Sequence, residues 1–180
     1  DAFEVRAALR AAIKQKGPVY IRLGKKGELL VHKEMPDFKI GKGIIIRKGN
    51  SICLLSAGNM LPVSVDVAEI LNKQGISTQV VSFHTIKPLD KELLSDAFNN
   101  FDLVATIEEH SLLGGLGGSV AEWLADQPKQ KARLLRFGTN DVFLHKVGDQ
   151  EYARQCFGLT AEAINEKILK DYHNMNRVFP

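Results

Sequence analysis

From Gly43 onward, short apolar segments alternate with segments of helical periodicity, and this alternation limits the possible folds more than any other feature. The runs TQVVSF, LVATIE and ARLLRF are predicted strands. Helices are predicted at about 60–74, from Asp90, through Trp123 and from Thr160. Because strands joined by helical crossovers run parallel and right-handed crossovers cover both sheet faces, we expect a three-layer α/β/α domain.

Two further strands, GIIIR and ICLLS, are separated only by a Lys-Gly-Asn turn. Their closeness predicts an antiparallel hairpin. The expected sheet is therefore mixed, with five strands, four parallel and one antiparallel, in a Rossmann-like topology. In such sheets the loops at the carboxyl ends of the strands carry the ligand or partner contacts.

The first 42 residues do not follow this alternation. The segment DAFEVRAALRAAIKQKG is a predicted amphipathic helix with Val5, Leu9, Ala12 and Ile13 on one face, and VYIRL is a predicted short strand. We expect a unit at 1–23, a linker at 24–42 and a domain at 43–180. An apolar helix face needs a cover, so the chain is interpreted as a piece of a longer protein.

The stretch TIEEHSLLGGLGGSVAEWL places four glycines between a strand and a helix. It fails the dinucleotide pattern G-x-G-x-x-G, because counting from Gly115 places Val120 at the third glycine, and it lacks the lysine of a Walker loop. We therefore expect no nucleotide site. Glycines also allow close backbone approach, and the N–H groups of a helix start can hold a carboxylate, which favours a docking surface at Gly114, Gly115, Gly117 and Gly118.

Glu108, Glu109 and His110 precede these glycines and resemble a catalytic group. Neighbours on a strand point to opposite faces, so the two glutamates cannot both reach one substrate atom. His84 follows another strand at the same sheet edge and could pair with His110 in catalysis or metal binding, but interdomain hydrogen bonding is the favoured interpretation. We predict no catalytic residue and no metal ligand, and we assign Glu109, His110 and His84 to interdomain or subunit contacts.

Composition excludes several classes of protein. No apolar run approaches the roughly 18 residues that span a membrane, and no Arg-rich or aromatic-interleaved track indicates nucleic-acid binding. Cys53 and Cys156 form no CxxC pair, so zinc and a disulfide framework are not expected and a reducing cytoplasm is. Residues 1–50 have a net charge of +7 and residues 51–180 of −4, which indicates phosphate attraction or solvated lysines near the amino end.

Several ordered motifs resemble one family. LSAGNMLPVSVDVAEILNKQGISTQVVSFHTIKPLDKELL, TIEEHSLLGGLGGSVAEWLAD and GLTAEAINEKI resemble the C-terminal domain of the transketolase family, and GPVYIRLGKK resembles the end of its preceding pyrimidine-binding domain. The resemblance covers almost the whole chain. The pairing of IKPLD with EEHSLLGGLGG is most similar to the C-terminal section of short, split bacterial transketolases.

The resemblance implies that thiamine diphosphate and magnesium belong to the complete enzyme, where a pyrophosphate domain and the body of the pyrimidine domain hold them, and that this fragment alone holds none and is inactive. It implies a C-terminal domain that serves assembly, with those missing domains as partners, a homodimer and phosphorylated sugars as substrates. It also implies that Arg22, at the end of the pyrimidine domain, binds the sugar phosphate. Related enzymes place a second arginine where this chain has Lys25, a second candidate phosphate ligand.

Two alternatives to a two-carbon ketol transferase stay open. Deoxyxylulose-phosphate synthase is a near relative of transketolase. The C-terminal domain of the β subunit of 2-oxo-acid dehydrogenases, a protein-docking module, resembles this pattern less well around EEHSLLGGLGG.

Overall fold

The computed structural model describes residues 1–24 and 27–177. The elements form one helix, α1, followed by the alternating strands and helices that the sequence predicts and by one helix, α5, that it does not. Their bounds are α1 Ala2–Lys14, β1 Ile44–Arg47, β2 Ile52–Ser56, a 3-10 helix at Gly58–Met60, α2 Leu61–Lys73, β3 Thr78–Ser82, α3 Lys91–Asn100, β4 Leu103–Ser111, α4 Leu116–Ala125, β5 Arg133–Thr139, α5 Gln150–Cys156 and α6 Ala161–Arg177.

The five strands form a single sheet in the order β1-β3-β2-β4-β5. β1 runs antiparallel to β3, and the other neighbouring pairs are parallel. The predicted fold class, with four parallel strands and one antiparallel strand, is therefore confirmed.

The predicted hairpin between β1 and β2 is wrong, because β1 pairs with β3 instead. All five residues of β2 are buried, and β2 lies between β3 and β4, so neither edge of β2 is free and β1 adds to the outer edge of β3. Gly49, between β1 and β2, lies where the chain passes the start of β3. A Cβ on Gly49 would collide with the backbone of Thr78 and Gln79 at the start of β3, so the chain passes there without a side chain.

Alternate residues of β2 point into two separate cores, as the pleat of a strand requires. Ile52 and Leu54 belong to a core shared with α2 and α6, whereas Cys53 and Leu55 belong to a core shared with α3 and α4. The sheet is thus covered on both faces, and the three-layer arrangement is confirmed.

α1 forms as predicted, but the described part of the chain covers its expected apolar face only in part, with Val5 and Ala12 half-buried. Leu9 and Ile13 are 47% and 84% exposed, while Glu4 and Ala7 form the buried side. The predicted strand VYIRL is absent. Residues 18–23 are irregular in the structure, because a strand needs a neighbour for its backbone hydrogen bonds and none of the described strands pairs with this segment.

Asp1 joins α1 to the predicted linker. Its Oδ1 accepts hydrogen bonds from the N–H groups of Phe3 and Glu4 and so caps the helix. Its Oδ2 accepts from the backbone N–H groups of Val31 and His32 and lies 3.1 Å from Nδ1 of His32. The linker is therefore irregular in backbone but anchored at Val31 and His32.

Candidate functional site

The two consecutive glutamates of β4 point to opposite faces of the sheet, as strand geometry predicts. Glu108 is only 2% exposed. The N–H groups of Leu116 and Gly117, in the first turn of α4, each donate a hydrogen bond of 2.7 Å to the Glu108 carboxylate. The position where a nucleotide-binding fold would hold a phosphate is thus occupied by a carboxylate of the chain itself.

The glycines of this turn make room for the Glu108 carboxylate. A Cβ on Gly115 would collide with Oε2 of Glu108, and a Cβ on Gly117 would lie 2.8 Å from Oγ1 of Thr106. Gly114 has φ +77°, a left-handed conformation that favours glycine. Gly118 is less constrained, because its Cβ would meet the carbonyl oxygen of Leu112 at an ordinary 3.5 Å.

These contacts divide the four predicted docking glycines into buried and exposed ones. Gly115, Gly117 and Gly118 are buried within this chain, and Gly115 and Gly117 are required by internal packing around Glu108. Gly114 is exposed, and so is its neighbour Leu113, which is 65% exposed. A contact with another domain at this turn stays a prediction.

Glu109 lies on the other face and holds α5 against the sheet. Nε and Nη2 of Arg154 donate to Oε2 of Glu109 at 3.0 and 2.7 Å. Nε2 of Gln150 donates to Oε1 at 2.8 Å, and Nδ2 of Asn59 donates to Oε2 at 3.0 Å. This network lies where β2 and β4 end side by side, which is the switch point of the strand order and the usual ligand crevice of such sheets.

The sequence interpretation missed Asn59, Gln150 and Arg154, and it missed α5 altogether. The available signal was Asp149, whose side chain accepts a hydrogen bond from the N–H of Tyr152 and caps α5. An Asp before a segment with Glu151 in its first turn and Arg154 in its last is typical of a short capped helix.

His84 and His110 are not brought together. His84 follows β3 and His110 lies in β4, and β2 separates these two strands in the sheet. His84 stacks on Phe38 of the linker with ring centroids 3.9 Å apart, its Nδ1 lies 2.8 Å from Oγ1 of Thr85, and burial lowers its pKa to about 4. Nδ1 of His110 donates to the carbonyl oxygen of Ser111 at 2.9 Å.

Metal-binding clusters and membrane-spanning helices are absent from residues 1–24 and 27–177. Within these ranges no group of three or more His, Cys, Asp or Glu side chains is placed to hold a metal ion. Nor do the described helices include one long and apolar enough to cross a membrane.

The two predicted phosphate ligands lie in the amino-terminal segment. Arg22 is exposed in irregular backbone. Lys25 lies outside the described residues. Phosphate binding by either residue stays a prediction.

Exposed apolar side chains lie in the loop between β5 and α5. Phe143 is 89% exposed, and Val142, Leu144 and Val147 of the same loop are also exposed. The N–H of Leu112 donates a hydrogen bond to the carbonyl oxygen of Thr139, the last residue of β5. Leu113 is the next residue after Leu112 and so lies near the start of this loop. We call Leu113 and the loop from Val142 to Val147 the apolar edge. Exposed apolar patches are typical of protein contact surfaces.

The structure thus defines a three-layer α/β domain in which Glu108 and Glu109 of the chain itself bond to the start of α4 and to the groups between β2 and α5. The family model described as "Transketolase, C-terminal domain" matches residues 41–164. The chain belongs to the transketolase family, as a member of its C-terminal domain.

Three relatives illustrate the similarity. The "Putative transketolase C-terminal section" of Methanocaldococcus jannaschii is 35% identical over 95% of this chain and 53% of its own length. A solved structure described as "Split gene transketolase, inactive beta4 tetramer" has 34% identity and a TM-score of 0.87, covering 94% of this chain and 55% of that chain. The 1-deoxy-D-xylulose-5-phosphate synthase of Caldanaerobacter subterraneus subsp. tengcongensis is 36% identical over 97% of this chain and 28% of its own length. The chain thus spans about half the length of the first two relatives and less of the third.

Proposed function

We propose that this chain is the C-terminal part of a thiamine-diphosphate-dependent transferase that moves two-carbon ketol units between sugar phosphates. The observation that carries the proposal is the 0.87 TM-score with a split-gene transketolase over 94% of the chain. The bonds of Glu108 and Glu109 to groups of the same chain support the second half of the proposal, which is that this part serves assembly and is inactive alone.

The described residues do not fit thiamine diphosphate. A pyrophosphate needs N–H donors or cations, but the N–H groups at the start of α4 are bonded to the Glu108 carboxylate, whose negative charge repels another anion. Arg154 is likewise paired with Glu109. We therefore assign the cofactor and its magnesium ion to the pyrophosphate and pyrimidine domains of the complete enzyme.

Arg22 is the proposed ligand of the sugar phosphate, and residues 1–23 are the proposed end of the pyrimidine-binding domain. A guanidinium offers paired donors to phosphate oxygens, and the exposed side chain of Arg22 lies in the basic part of the chain. Lys25 is the proposed second ligand. We place the linker at 24–42 and the C-terminal domain at 43–180.

The proposed partners are the remaining domains of the enzyme and a second copy of it, in a cytoplasmic homodimer. Two uncovered apolar surfaces support an assembly role, the α1 face with Leu9 and Ile13 and the apolar edge with Phe143. Gly114, Glu109, His110 and His84 lie at or near the carboxyl ends of β3 and β4, on the proposed contact side.

A second candidate is deoxyxylulose-phosphate synthase, because one such enzyme is 36% identical over 97% of the chain. The complete protein that carries this chain, supplied with thiamine diphosphate and magnesium, distinguishes the two. We expect transfer of a ketol unit from a ketose phosphate to an aldose phosphate. Formation of 1-deoxy-D-xylulose 5-phosphate without ketol transfer would replace our proposal by the second candidate.

Calorimetry on the 180-residue chain tests the assembly role separately. We expect no heat of binding when thiamine diphosphate and magnesium are added, because the anion positions are already filled. Micromolar affinity would contradict the assignment of the cofactor to the other domains.

A further inference from the structure

Four groups converge on one point at the start of α4. Two are the N–H groups of Leu116 and Gly117, which bond to the Glu108 carboxylate. The other two are the side chains of Thr106 and Arg136. A Cβ built on Gly117 would lie 2.8 Å from Oγ1 of Thr106, 3.1 Å from Cδ of Arg136 and 3.1 Å from Oε1 of Glu108. We call this place the α4 anion site.

Thr106 points to a ligand independently of the helix start. It is fully buried, and its hydroxyl has no hydrogen-bond partner among the described residues. A buried hydroxyl without a partner is unfavourable, and the Glu108 carboxylate does not accept from this one, so the hydroxyl is free to donate to a ligand that reaches it. The helix dipole of α4 adds positive potential at the same point. Arg136 has its Cδ near this point and donates from Nη1 to the carbonyl oxygen of Leu112 at 3.2 Å.

We propose that this place is a binding site for a small carboxylate, that its ligand in the native chain is the side chain of Glu108, and that a free carboxylate binds there once that side chain is removed. The two N–H groups donate to different oxygens of Glu108, which matches a planar carboxylate. Truncation of Glu108 opens this position, because the two atoms nearest to a Cβ on Gly115 are Oε2 and Cδ of Glu108.

The variant Glu108→Ala tests the proposal in the complete protein. The atoms removed are one methylene and the carboxylate, which are the heavy atoms of acetate. We expect Glu108→Ala to be less stable than the unmodified protein. We expect about 100 mM acetate to raise its folding equilibrium constant by about tenfold, which corresponds to a dissociation constant near 10 mM.

Acetamide is the matched ligand, because it has the shape of acetate without the charge, and chloride at the same concentration controls for ionic strength. Glu122→Ala is the matched variant, because Glu122 is an exposed acid on the same helix. Neither acetamide nor chloride should stabilise Glu108→Ala, and acetate should not stabilise Glu122→Ala.

Three results would overturn the proposal: equal effects of acetate and acetamide on Glu108→Ala, equal effects of acetate on both variants, or unchanged stability of Glu108→Ala. If Glu108→Ala does not fold in buffer, its refolding yield gives the same answer. A yield that rises with acetate but not with acetamide supports the site, and a yield that rises with neither overturns it.

Discussion

The guanidinium of Arg154 in α5 donates two hydrogen bonds to a single oxygen of Glu109 in β4, at 3.0 Å from Nε and 2.7 Å from Nη2. The two side chains are 14% and 29% exposed. This pair attaches a helix of seven residues, none of which is buried, to the carboxyl end of β4.

Removal of this contact should release α5. We expect Arg154→Ala to lower the free energy of unfolding by about 1–2 kcal/mol, because a charge-assisted hydrogen bond is lost at a partly buried site. Arg133→Ala is the control, since Arg133 is 51% exposed in its ion pair with Asp171 and should contribute less than about 1 kcal/mol. Hydrogen exchange should accelerate in Gln150–Cys156 for Arg154→Ala only, and equal acceleration in both variants would contradict this prediction.

Two glycines of one turn should respond oppositely to alanine. Gly115→Ala places a Cβ against Oε2 of Glu108 and should destabilise the domain by about 1–3 kcal/mol. Gly118→Ala adds a methyl group at ordinary contact distance inside α4 and should be neutral or stabilising by up to about 1 kcal/mol. Thermal unfolding of both variants measures the difference, and similar losses would show that Glu108 does not fix this turn.

Acid should destabilise the protein through His84. Burial lowers the pKa of His84 from 6.5 to about 4, so the unfolded chain takes up a proton before the folded one does. The stabilising contribution of neutral His84 to the free energy of unfolding is complete above about pH 6.5. It is lost as pH falls toward 4, by about 3 kcal/mol in total. The stability difference between the unmodified protein and His84→Gln should shrink over this range in denaturant titrations; a constant difference would assign the acid sensitivity to other groups.

Arg22 should matter for phosphorylated substrates alone. In the complete enzyme we expect Arg22→Ala to raise KM for sugar phosphates by roughly ten- to a hundredfold, because a charge-assisted bond contributes roughly 1.5–3 kcal/mol. Unphosphorylated acceptors serve as the control substrate and the exposed Arg6→Ala as the control variant. Equal loss on both substrate types would make Arg22 a structural residue.

The linker should be protected where Asp1 anchors it. Proteases are expected to cut between Gly24 and Leu30, and Asp1→Ala should extend cleavage to Lys33, because the N–H groups of Val31 and His32 lose their acceptor. Asp37→Ala is the control, since that side chain is 83% exposed. Cleavage at Lys33 in the unmodified protein at the same rate would show that the anchor is weak.

Local patterns predicted the five strands of the sheet and helices α1, α2, α3, α4 and α6, because such elements depend on neighbouring residues, but they also predicted the absent strand VYIRL and missed α5. Asp90 caps α3 as expected, with its Oδ1 accepting from the N–H of Leu93, and the opposite directions of Glu108 and Glu109 follow from the pleat alone. The position of the Glu108 carboxylate in the glycine turn could not be predicted. Its hydrogen bond from the N–H of Leu116, eight residues away, forms only when the turn is folded.

Longer-range pairings were beyond the sequence. The hairpin prediction failed because closeness along the chain does not decide which strand has a free edge. β2 has neighbours on both sides, and β1 pairs with the edge of β3. The network of Glu109 was missed because Arg154 and Asn59 lie 45 and 50 residues from it and carry no local pattern.

The direction of β1 determines where the preceding polypeptide reaches the domain. Ile44, the first residue of β1, pairs with Ser82, the last residue of β3. A parallel first strand would have begun at the opposite end of the sheet, far from the βα loops. The single reversed strand instead delivers residues 27–42 to the rim that holds His84 and Glu109, so any domain attached at the amino side arrives beside those loops without a long connection.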